Sequence, residues 1–145
     1  MKPSRQARGH ALGLAALLDG QALSACATPE PDDPSRLLGR AWRLAQIEGQ
    51  PVAAPGRSTL AIAADGAVSG DAGCNRYAGR IDAKGSRLAF SPLAATKRAC
   101  ASAVTVQEQR MLGAFERTAA WRLDDAGLTL LDRAGRPLLL FSPAD

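Results

Sequence analysis

Four Asp-to-Gly turn signals cut the later part of this chain into short apolar segments, and that punctuation constrains the fold more than any other feature. Asp65-Gly66 follows Leu60 and Ile62, and Val68 resumes the alternation after it. Glycine takes positive φ without strain and aspartate tolerates it, so an Asp-Gly pair between alternating residues is a hairpin signal. Asp82 with Gly85, Asp124 or Asp125 with Gly127, and Asp132 with Gly135 repeat the pattern. The last two bracket Leu128-Thr129-Leu130-Leu131, and Leu138-Leu139-Leu140-Phe141 follows. Trp42 and Leu44 alternate with polar neighbours, as in a half-buried strand. This spacing indicates antiparallel meanders, not the long crossovers of a parallel sheet.

One segment departs from the pattern. Between about residues 104 and 120, Val104, Glu108, Met111, Leu112, Phe115 and Ala119 recur at helical spacing. Gln107, Gln109, Arg110, Glu116 and Arg117 lie mostly on the other side, and Ser102 or Thr105 is placed to cap the start. A helix of this length is marginal alone, so it is expected to lie across a sheet. The expected fold class is α+β and mostly β. It is a twisted antiparallel sheet or cracked barrel of about seven strands with one helix packed on it.

At 145 residues the chain holds one domain, expected over residues 38–145, and an appendage. Residues 1–26 read as a secretion signal. Lys2, Arg5 and Arg8 precede an apolar run from Ala11 to Leu18, which is too short to span a bilayer as a helix. Leu23-Ser24-Ala25-Cys26 then resembles the bacterial lipobox, making Cys26 the expected lipidation site. Asp19 beside the apolar run departs from that pattern, and an ordinary signal peptide or an inert tail is the alternative. Residues 27–37 carry Pro29, Pro31 and Pro34 among Glu30, Asp32 and Asp33, the composition of an extended tether. Ala27, not aspartate, follows Cys26. By the bacterial sorting pattern this resembles the address of an outer-membrane lipoprotein facing the periplasm.

The net charge of +4 raises the question of nucleic acid. Beyond residue 26 the balance is 15 basic to 13 acidic side chains, or +2, and the arginines are scattered among aspartates without interleaved aromatics. Neither a basic stripe nor a stacking platform is present, so nucleic acid is not an expected partner.

The most informative stretch is Gly73-Cys74-Asn75-Arg76-Tyr77-Ala78-Gly79, followed by Thr96-Lys97-Arg98-Ala99-Cys100 and then Glu108. The pairing of G-C-N-x-Y-x-G with T-x-x-x-C, together with Trp42-Arg43-Leu44 and Gly49-Gln50-Pro51-Val52, resembles the META domain of HslJ-type heat-shock proteins. The resemblance runs from about Leu38 to Phe141. It implies a bacterial envelope protein, often a lipoprotein, tied to stress tolerance without an established reaction. It also implies a second reading, a pilotin-like cracked barrel with an apolar groove. Taken by their chemistry, Gly73 and Gly79 suit unusual torsions or close approach. Asn75 has donors and acceptors enough to staple a buried loop. Tyr77 suits a core position with its hydroxyl tied. Thr96 and Glu108 suit a local hydrogen bond and a helix-start charge.

Of the three cysteines, Cys26 belongs to the lipobox, so Cys74 and Cys100 are expected to pair in an oxidising compartment, with a redox switch as the alternative. They are also the two ends of the family-like motif. No catalytic residue is singled out. The sole histidine, His10, lies in the leader, and no phosphate-binding loop, dinucleotide fingerprint or EF-hand spacing occurs. No metal or cofactor is expected, although a carboxylate-only hydrolase stays open. The expected function is a non-enzymatic, stress-associated lipoprotein of the envelope acting through its surface as a monomer. Its partners are the membrane, through the anchor, and an envelope protein. The alternative is a binding module holding an acyl chain or peptide between sheet and helix.

Overall fold

A computed structural model describes residues 32–53 and 55–144. The leader, Cys26 and the first part of the tether lie outside the described residues. Among the described residues ten strands follow in chain order: β1 (Arg40–Ile47), β2 (Gln50–Pro51), β3 (Thr59–Ile62), β4 (Ala67–Asp71), β5 (Arg76–Lys84), β6 (Arg87–Phe90), β7 (Ala94–Ala95), β8 (Ala120–Asp124), β9 (Gly127–Leu131) and β10 (Pro137–Pro143). The helix α1 (Ser102–Arg117) stands between β7 and β8.

Eight of these strands form a closed antiparallel barrel in the order β1-β3-β4-β5-β6-β8-β9-β10, with β10 pairing back onto β1. The other two are short extensions. β2 joins the edge of β1 that β3 occupies, and β7 joins the edge of β5 that β6 occupies. The expected seven-stranded sheet or cracked barrel is therefore corrected to ten strands, eight of them in a closed ring. The two-residue strands are too short to show alternation, and β8 begins at Ala120, where the apolar spacing suggested helix. Three of the Asp-to-Gly stretches make turns between neighbouring strands, whereas Asp82 lies within β5 and the turn after it is Gly85-Ser86. Asp65, Asp124 and Asp132 each accept a backbone N–H two residues on, from Ala67, Ala126 and Ala134. This local bond is why aspartate favours such positions.

Side chains from every barrel strand fill the interior, Trp42, Leu60, Val68, Leu88, Leu130 and Phe141 among them. Leu37 is also fully buried, although the composition of its neighbourhood suggested a tether. A 3-10 turn at Pro34–Arg36, started by Asp33 accepting the Ser35 N–H, leads it into the core.

Antiparallel alternation puts the β1–β2 turn, residues 52–53 and 55–58, and the β4–β5 loop at one end of the barrel, and α1 is bonded to all three. Glu48, in the turn, accepts from Arg110 (3.3 Å) and Arg117 (2.8 Å). Gln107 accepts from the Ala53 N–H (3.0 Å) and donates to Ser58 Oγ (3.3 Å). Gln107 is thus buried, not on the outer face that periodicity assigned it. Met111, Ala114 and Phe115 carry the apolar face of α1 into the barrel. The Phe115 ring lies 4.6 Å from Phe90, 5.3 Å from Tyr77 and 6.3 Å from Phe141. With aromatics at only 4% of the chain, this cluster gathers the large side chains where helix and barrel meet. Neither expected cap forms: Ser102 is the first helical residue, Thr105 Oγ bonds the Ala101 carbonyl, and Ala101 caps without a side-chain bond.

Tyr77 shows how closely the interior is fitted. Its side chain crosses β4 at Gly70 and donates to the Thr59 carbonyl on β3 (2.6 Å). A Cβ at Gly70 would meet both that carbonyl oxygen and the phenol, so only glycine leaves the passage open. Burial, and secondarily the Asp71 carboxylate, push the phenol well above its ordinary value. A raised value in the folded state means that the contribution to stability is complete below pH ~10 and lost as pH rises beyond it. Because Tyr77 is the only tyrosine, phenolate absorbance is expected to stay flat through pH ~10 and to rise only as the chain unfolds. A normal titration with the fold intact would contradict the buried placement. Tyr77→Phe should cost about 1 kcal/mol in chemical denaturation.

Candidate functional site

The motif residues converge at the end of the barrel that α1 crosses. The β4–β5 loop is held in shape by its own backbone, with the Gly73 N–H bonded to Asp71 Oδ1 (2.7 Å) and the Ala72 N–H to the Asn75 carbonyl (2.8 Å). Gly73 has φ +109°, a region that favours glycine. This turn aims Asn75 inward, where it is 5% exposed.

Asn75 is a four-way junction. Its backbone N–H donates to Glu108 Oε2 (2.6 Å) and its Nδ2 to Glu108 Oε1 (2.7 Å). Its Oδ1 accepts from Thr96 Oγ1 (2.9 Å) and from the Arg98 N–H (2.6 Å). Thr96 Oγ1 in turn accepts from the Arg76 N–H (3.2 Å), and the Thr96 N–H donates to the Arg76 carbonyl (3.0 Å). Glu108 is not a helix-start charge. It lies in the second turn of α1, almost fully buried, and forms no ion pair among the described residues. Two N–H donors from one residue take the place of a counter-ion, as a buried carboxylate requires.

The expected disulfide is present. Cys74 and Cys100 are joined with their Cα atoms 6.0 Å apart, tying the loop to the residue two before α1. Gly79 lies farther along β5, where a Cβ would press on the Leu93 side chain that folds over it. Tyr77 reaches Phe115 from the barrel side. Cys74, Asn75, Thr96, Cys100 and Glu108 therefore form one cluster, and Gly73, Tyr77 and Gly79 support its strand and loop.

Sequence reasoning missed the bonds from Gln107 to Ser58 and Ala53 and the clasp from Glu48 to Arg110 and Arg117. The turn residue Glu48 stands out only in the structure, as a non-glycine at φ +50°. The two guanidiniums hold its carboxyl below the usual range. Among the described residues no group of three or more His, Cys, Asp or Glu side chains is arranged to hold a metal.

Barrel, crossing helix and stapled loop together define a small helix-capped β-barrel domain. The family model for the META domain matches residues 35–145, and the chain belongs to that family. It is similar to an NMR structure of a protein from Burkholderia xenovorans, with 26% identity, TM-score 0.62, and coverage of 83% of this chain and 94% of that one. A further NMR structure matches in fold at 23% identity and TM-score 0.62, covering 78% of this chain and 96% of that one. No curated protein matches the chain.

Asn75→Ala would leave the Arg98 N–H and one buried Glu108 oxygen without partners. A loss of about 2–6 kcal/mol is expected in equilibrium unfolding, at roughly 1–3 kcal/mol for each of the two orphaned groups. An unchanged denaturation midpoint would refute the staple. The bridge closes a loop with sequence separation 26. Its reduction should remove about 3–4 kcal/mol in the chain-entropy model, read as a lower melting temperature with reductant.

Proposed function

We propose that this META domain belongs to an exported, lipid-anchored envelope protein associated with stress tolerance. It acts through its surface and not as an enzyme. The observation that carries the reading is the commitment of the motif's polar atoms to one another: both Glu108 oxygens go to Asn75, and Asn75 Oδ1 goes to Thr96 and Arg98. A side-chain set engaged in this way holds a fold together and leaves no group poised toward a substrate. The Cys74–Cys100 bridge supports export, since structural disulfides persist in oxidising compartments. The lipobox at Cys26 and the tether after it support the anchor. An acyl or peptide ligand between sheet and helix has less support, because Tyr77, Phe90 and Phe141 already occupy the face that Phe115 presents.

Substituting Cys26→Ser in the full chain should move the protein from the membrane to the soluble fraction while the thermal melt stays unchanged. Mass spectrometry of the wild type should show several acyl chains, because a single one anchors only marginally. Identical fractionation of wild type and variant would overturn the anchor. Loss of the gene should lower survival under envelope stress, with rescue by the wild-type chain.

A further inference from the structure

The weakest seam of the barrel lies between β6 and β8. β8 and β9 share five register pairs and β5 and β6 share four, but β6 and β8 meet through Arg87 and Ala120 alone. Two backbone bonds flank that pair, Leu88 N–H to the Ala119 carbonyl (3.1 Å) and Trp121 N–H to the Ser86 carbonyl (2.9 Å). Where the ladder splays, a groove of about 650 Å³ opens on the outer surface. Its floor is small, with Ala89, Ala119 and Ala120, and its walls are charged.

The charges do not cancel. Asp132 accepts the Ala134 and Arg136 N–H groups and pairs with the Arg136 guanidinium (2.8 Å), so its charge is already answered. Lys84 and Arg87 on one wall and Arg133 on the other have no ion-pair partner among the described residues, and Asp82 is the one remaining acid. Lys84 and Arg87 also stand directly opposite each other across β5 and β6. Like charges in that position destabilise a hairpin, and an anion held between them would remove the cost.

We propose that this groove is a binding site for a phosphomonoester, with Arg87 and Arg133 gripping the phosphate from opposite walls and Lys84 adding a third donor. Guanidinium forks match phosphate oxygens two at a time, and a dianion suits three cations facing one acid. The volume exceeds that of a bare phosphate, so the ester's organic part lies along the alanine floor. The site goes beyond the surface role proposed above and does not depend on the anchor, so its failure would leave the fractionation result untouched.

Isothermal titration of the full chain with glucose 6-phosphate, inorganic phosphate and glucose tests the proposal. Trp121 gives a second signal, since its indole N–H bonds the Gly85 carbonyl between Lys84 and Arg87 (2.8 Å). Binding of the sugar phosphate, weaker binding of inorganic phosphate and none of glucose are expected. Arg87→Ala and Arg133→Ala should each weaken binding by about tenfold or more. Arg43→Ala, at an exposed site on β1 outside the groove, should not. Vesicles of phosphatidic acid, set against phosphatidylcholine, distinguish a lipid headgroup from a free ester as the source of the phosphate. Absence of binding to both soluble phosphates and to phosphatidic acid would overturn the site. An equal loss with Arg43→Ala would overturn it too, because general surface charge would then explain the binding.

Discussion

The buried carboxylate of Glu108 is the interaction on which the arrangement of this domain depends. A charge taken from water without compensation is too costly to keep, so its two oxygens must find donors. Asn75 supplies both, and in doing so fixes the β4–β5 loop against the helix. The same asparagine then takes Thr96 and Arg98 on its remaining oxygen, which sets the course of the chain into α1. Strand, connecting segment and helix are joined through one residue, and Phe115 rests among Tyr77, Phe90 and Phe141.

The segment entering α1 is fastened twice, by different physics. The Cys74–Cys100 bond limits the freedom of the unfolded chain, while the hydrogen bonds of Asn75 act in the folded one. The polar bonds at the opposite end of the helix are weaker. Glu48 faces Arg110 and Arg117 in exposed pairs, worth less than about 1 kcal/mol each. Burial of Met111, Ala114 and Phe115, and not these surface pairs, is what holds that half of the helix in place.

Much of the architecture was legible because short-range chemistry dictates it. Asp-Gly turns, strand alternation and the apolar stripe of α1 are local patterns, and the cysteine count left one pairing. What escaped was whatever depends on distant residues. Strands of two residues form only because a longer strand continues beside them. Leu37 is buried because the barrel is there to receive it. Gln107 falls on the polar side of a helical wheel, yet Ser58 and Ala53 lie against that side. Gly70 is an unremarkable strand glycine until the phenol of Tyr77 has to pass it. The motif marked the staple's members, but not that Glu108 would serve as its buried acceptor.

Closure of the ring by β1 and β10 has a kinetic consequence. Arg43 and Ser142, paired across that junction, are 99 residues apart in the chain. Each of the other joins can zip from a nearer neighbour, but this one must wait until β10 exists, and contacts so distant form slowly. Until then β1 and β9 present open strand edges, the features through which incomplete β proteins pair with one another. The ring is protected only once complete, so the hazardous interval for this chain falls between synthesis of its first strand and arrival of its last.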